Sequence, residues 1–112
     1  MDLALSSRTV GTTAILAVGG EIDMATTDQL RRALDELIDG STRVVCDLTD
    51  VTFIESTGIG VFVAARKHLL ARRGSLVLVA PRPAIRRILE LVGLLGVFDV
   101  RESVAEAIPD AG

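Results

Sequence analysis

The stretch Arg43-Val44-Val45-Cys46-Asp47-Leu48-Thr49-Asp50-Val51-Thr52-Phe53-Ile54-Glu55-Ser56-Thr57-Gly58-Ile59-Gly60 decides the fold. Val44-Val45-Cys46 is almost uninterrupted apolar sequence, as expected of a central strand covered on both faces. The strand predicted over Arg43–Leu48 runs into a short loop that ends in Glu55-Ser56-Thr57-Gly58. The helix expected next carries Ile59, Val61, Phe62, Ala65, His68 and Leu69 and stops near Arg72-Arg73-Gly74. A serine hydroxyl thus stands at a helix N-terminus, where backbone N–H groups point outward and the dipole favours negative charge.

The same alternation continues on both sides of this stretch. Leu3–Thr9 is a weak strand, Val10-Gly11 a turn, and Thr13–Val18 a second strand stopped by Gly19-Gly20. Leu30, Ala33, Leu34, Leu37 and Ile38 share one helical face, with Thr26 or Thr27 as cap and Gly40 as stop. Arg31, Arg32, Asp35, Glu36 and Asp39 fall largely on the opposite, solvated face. Ser75–Ala80 is another buried-type strand, stopped by Pro81. Pro83 suits the first turn of a helix that buries Ile85, Ile88, Leu89 and Val92 and ends at Gly93. Val97–Val100 forms a short last strand, Ser103 caps a terminal helix, and Pro109–Gly112 is a frayed tail. The order β-β-α-β-α-β-α-β-α predicts an α/β layer structure with parallel strands in the middle.

Composition bounds the function. A chain of 112 residues suits one domain. Aromatics are 3% against 49% hydrophobic residues, so Val, Leu, Ile and Ala must build the core. A net charge of -3 with no basic stripe argues against nucleic-acid binding. The apolar runs are far shorter than the roughly 18 residues of a membrane span, and the N-terminal residues show no signal-peptide pattern. The lone Cys46 falls in a strand and reads as a small core residue. A soluble, cytoplasmic protein is expected, with no direct membrane insertion.

Catalytic readings find little support. The residue two before Ser56 is Ile54, where a nucleophile elbow needs glycine. The only histidine, His68, lies twelve residues further along the same helix, about 18 Å away at ~1.5 Å per residue. No Ser–His pair can form within one chain at that separation. Asp47, Asp50 and Glu55 lack the spacing of a calcium loop, and no zinc spacing occurs. Gly19-Gly20 and Gly58-x-Gly60 match no phosphate-loop or dinucleotide fingerprint. The expectation is a non-enzyme without metal or cofactor. Gly58 and Gly60 either pack the helix on the sheet or leave a bare surface over which a partner approaches Ser56. Residue chemistry alone leaves Ser56 as either a helix cap or a regulated phosphoacceptor.

The block from Val44 to Gly60 resembles the STAS family, and within it the bacterial anti-sigma-factor antagonists. Three further segments share the likeness: Gly20-Glu21-Ile22-Asp23, Gly74-Ser75-Leu76-Val77-Leu78-Val79, and Ile85 to Leu94. The likeness covers residues 3 to 108, nearly all of a single domain spanning 1–112. It implies a small mixed β-sheet of about four to five strands with about four packed helices. It also implies partner switching in transcription regulation, of the kind used in stress response or sporulation. An anti-sigma factor with serine kinase activity binds the unphosphorylated antagonist, uses ATP to phosphorylate it, and so releases it. A serine phosphatase restores it. The phosphorylation site maps onto Ser56, and the partner-binding positions onto Asp23, Glu55, Ser56, Thr57, Gly58 and Gly60. The family usually has Asp before the acceptor; Glu55 keeps the charge on a side chain one methylene longer. Other members are non-phosphorylated subunits or scaffolds of transporter or signalling complexes, which is the alternative expectation.

Overall fold

The computed structural model describes residues 3–91 and 98–108. The elements are β1 Leu3–Val10, β2 Thr13–Ile22, α1 Thr27–Gly40, β3 Arg43–Ile54, α2 Ser56–Ala71, β4 Ser75–Val79, α3 Pro83–Leu91, β5 Asp99–Arg101 and α4 Val104–Ala107. The five strands form one sheet in the order β1-β2-β3-β4-β5. β1 and β2 pair as an antiparallel hairpin, and every later neighbour is parallel. Gly11 turns the hairpin at φ 62, a left-handed conformation that costs glycine little. The α/β mixed sheet read from the sequence is therefore the one observed.

The apolar runs explain the layering. Ala14, Leu16 and Val18 of β2, Val44, Cys46 and Leu48 of β3, and Leu76 and Leu78 of β4 face one side. Leu30, Leu34 and Ile38 of α1, Phe62 and Leu69 of α2, and Ile85 and Leu89 of α3 cover them. Each fully buried side chain of this size contributes about 1.5–3 kcal/mol relative to exposure. The other side shows Ile15, Val45, Val77 and Val79, covered by Ala107 of the short α4. Arg43 fastens that helix: its Nε–H donates to the Ala107 carbonyl at 3.0 Å and its Nη1 to Ser75 Oγ at 3.2 Å. Ser103 caps α4 as expected, accepting the Glu106 N–H at 3.2 Å.

Three expectations need correction. β2 does not stop at Gly19-Gly20 but runs on to Ile22, with register shifts between Ala17 and Gly19 and between Gly20 and Glu21. Gly20, at φ 102, absorbs one irregularity, so the glycines bend the strand instead of ending it. β3 likewise does not stop at Leu48. Its second half pairs Asp50, Val51, Phe53 and Ile54 with Gly19, Gly20, Glu21 and Ile22. Exposed Thr49, Asp50 and Thr52 look loop-like, but buried Val51 and Ile54 draw the strand under the helices. Gly40 is the last residue of α1, not the stop beyond it. Expectations for Val92, Gly93, Leu94 and Val97, and for the tail from Pro109, fall outside the described residues.

Candidate functional site

The extended ends of β2 and β3 deliver two short segments side by side. The first is the turn after β2. Asp23 Oδ1 accepts the N–H groups of Ala25 at 2.9 Å and Thr26 at 3.1 Å. Thr26 is buried; its hydroxyl accepts the Asp23 N–H at 2.9 Å and donates to the Glu21 carbonyl at 2.9 Å. The sequence marks Thr26 as a cap, and it does occupy the cap position of α1. Its side chain makes no capping hydrogen bond, because the turn holds it. A buried hydroxyl satisfied in this way makes the turn rigid.

The second segment is the start of α2. The Glu55 N–H donates to the Ile22 carbonyl at 3.1 Å. Glu55 takes the cap position with extended backbone, and its carbonyl accepts the N–H groups of Gly58 at 3.0 Å and Ile59 at 3.3 Å. Ser56 is the first residue of a 16-residue helix, not its cap. The Ser56 hydroxyl is exposed and has no hydrogen-bond partner among the described residues. The Ser56 and Thr57 backbone N–H groups also find no acceptor among them, which leaves two donors aimed outward. The simple capping role is thus not the one the hydroxyl performs.

One side chain joins the segments. Glu55 Oε1 accepts the Met24 N–H at 2.8 Å across 31 residues, and the Thr57 hydroxyl at 3.3 Å. Asp23, Glu55, Ser56 and Thr57 are thereby brought to one rim, with Met24 77% exposed beside them. Sequence reasoning missed Met24 and the tying role of Glu55.

The two glycines separate. Gly60 is exposed with open space around its α-carbon, the bare surface of the two alternatives. Gly58 is buried, so the expectation that it offers surface to a partner is corrected: it packs α2 against Ile22 and Ile54. Of the other reactive groups, His68 is exposed in the last turn of α2. Cys46 lies in the core, where burial pushes its thiol up to about 12. Asp47 accepts the Thr49 N–H at 3.1 Å. Among the described residues, no three His, Cys, Asp or Glu side chains converge as a metal site would require.

A family model described as the STAS domain matches residues 4–107. The chain belongs to the STAS-domain family. Among relatives of this STAS domain is the anti-sigma-B factor antagonist of Listeria monocytogenes. The two are 35% identical over 91 residues, 80% of this chain and 79% of the relative. The anti-sigma-B factor antagonist of Staphylococcus aureus is 30% identical over 103 residues, 91% of this chain and 95% of the relative. The crystal structure of an anti-sigma factor antagonist from Mycobacterium paratuberculosis superposes with a TM-score of 0.88. It is 28% identical and covers 95% of this STAS domain and 91% of that chain. Among the described residues, no helix of this STAS domain is long and apolar enough to cross a membrane.

Proposed function

We propose that this chain is an anti-sigma-factor antagonist switched at Ser56. Unmodified, it binds an anti-sigma factor that is also a serine kinase, and so frees a sigma factor. The kinase transfers the γ-phosphoryl group of ATP to Ser56 Oγ: the O–P bond forms, ADP leaves, and a base on the kinase takes the hydroxyl proton. A serine phosphatase hydrolyses the ester and resets the switch. The chain itself catalyses nothing and acts in the cytoplasm, where the transcription machinery works, without nucleic acid or membrane contact of its own.

The observation that carries this reading is the state of Ser56. Its hydroxyl is exposed and bonded to nothing among the described residues, and it opens a long helix on a rim shared with Asp23. A kinase can reach it without unfolding anything. Phosphate adds about -1.5 to -2 charges, and the free N–H groups of Ser56 and Thr57 suit such an anion. The fold survives while the rim, already carrying Asp23 and Glu55, becomes strongly negative. A partner matched to the unmodified rim is then repelled. The names of the Listeria and Staphylococcus relatives support the same role.

The test is intact mass after incubation with ATP and the anti-sigma kinase of the same genome. One phosphate on the wild type and none on Ser56→Ala is the expected result. Ser56→Ala should still bind the kinase, and Ser56→Asp should bind weakly. Binding without any mass shift would overturn the switch and favour a non-phosphorylated subunit or scaffold of a transporter or signalling complex.

A further inference from the structure

The Met24 amide is held differently from every other amide of its turn. Asp23, Ala25 and Thr26 are held from within the turn, by the side chains of Asp23 and Thr26. Among the described residues the Met24 N–H has one acceptor, Glu55 Oε1, which belongs to the residue before Ser56. Among the described residues the Met24 carbonyl accepts only the Thr27 hydroxyl, at 3.3 Å. A single carboxylate oxygen therefore governs the order of the Met24 backbone. Its side chain stands in water at the tip of an otherwise rigid turn. An unbranched thioether fixed in that way is a suitable apolar anchor for a partner, because it adapts to a pocket while its backbone stays preorganised.

We propose that Glu55 is a positioning residue that transmits charge at Ser56 to the turn: it clasps Met24 while Ser56 is unmodified and releases it when Ser56 carries phosphate. The inference rests on the switch proposed above and adds how the far half of the rim senses it. Two effects act together. A phosphate on the adjacent residue repels the Glu55 carboxylate. The phosphate oxygens also compete for the Thr57 hydroxyl, which donates to the same Glu55 oxygen that holds Met24. The Ser56 and Thr57 N–H groups, without an acceptor among the described residues, hold the phosphate close to α2. The rim thus loses an ordered apolar anchor as well as gaining charge. In this chain the side chain that reaches Met24 is Glu55, one methylene longer than Asp.

Solvent exchange of single amides, read by NMR, tests this in the free protein. Phosphoserine is installed at residue 56 during translation, so neither kinase nor partner is needed. The Met24 amide should exchange about tenfold faster in the phosphorylated protein, a change equivalent to 1.36 kcal/mol. The Ala25 and Thr26 amides should not change. Glu55→Gln keeps an acceptor oxygen but no charge, so in that background phosphate should speed Met24 exchange clearly less than in the wild type, through competition for the Thr57 hydroxyl alone. Glu55→Ala should expose Met24 with or without phosphate. Unchanged Met24 exchange on phosphorylation would overturn the clasp and leave the switch standing. Failure of the kinase to modify Ser56 would instead overturn the switch, whatever the amides show.

Discussion

Gly58 stands against Ile22 with no room for a side chain between them: a Cβ at residue 58 would overlap Ile22 Cγ2. Ile22 is fully buried at the end of β2, so it cannot swing into solvent. Alanine would gain up to about 1 kcal/mol in helix propensity over glycine. Overpacking a tight contact costs typically 1–3 kcal/mol, so the clash wins. Gly58→Ala should lower the denaturant midpoint, whereas Gly60→Ala, in open space, should leave it unchanged or raise it. Equal midpoints for the two variants would show that α2 shifts freely on the sheet.

Two duties of Asp23 can be tested apart: its Oδ1 builds the turn, and its charge belongs to the rim proposed to meet the partner. Asp23→Asn retains the acceptor oxygen, so stability should stay within about 0.5 kcal/mol of wild type. Affinity for the anti-sigma factor should fall about tenfold or more if the charge meets a basic group there. Asp23→Ala should lose both. Unfolding curves and binding titrations on the three proteins separate the duties, and unaltered affinity for Asp23→Asn would remove the charge from the interface.

Arg43 predicts a local unfolding. Its two hydrogen bonds tie β3 to α4 and to the start of β4. Arg43→Ala should cost about 1–3 kcal/mol, since the Ala107 carbonyl loses a charged donor. Limited proteolysis should cut near α4 faster in the variant, while cleavage within the α2 region stays slow.

Cys46 makes stability pH-dependent at the alkaline end. Burial raises its pKa from 9.0 to about 12, so the folded chain keeps the proton where the unfolded chain loses it. Stability from this source is fully present below pH 9.0 and is lost as pH rises towards about 12. Denaturant midpoints should decline over that range, and Cys46→Ala should flatten the decline while lowering the midpoint at neutral pH. A thiol reagent should label Cys46 only on unfolding; rapid labelling of the native protein would contradict its burial.

The element order was legible because buried strands and amphipathic helices carry different periods. The ends of β2 and β3 were not. Gly19-Gly20 is a strong stop signal, and only the pairing with β3 reveals that the chain bends through it. Thr49, Asp50 and Thr52 are polar because one side of that stretch meets water, which imitates a loop. Ser56 could be located from the helix start alone. Its freedom from capping could not, since that depends on Glu55 taking the cap position. The Glu55–Met24 bond joins residues 31 apart through a backbone donor, and a backbone donor leaves no mark in side-chain identity.

Beyond Asp47, β3 has no strand pairing on its β4 side among the described residues; it pairs with β2 alone. The rim therefore sits at the end of a two-stranded arm of the sheet, whose Ile22, Val51 and Ile54 remain buried in the core. Its tip can be re-tailored, residue by residue at Asp23, Met24, Glu55 and Thr57, without disturbing the strands that anchor it. Grafting the tip of one such domain onto the body of another should transfer the choice of partner, which makes the arm a natural unit for rewiring a signalling circuit.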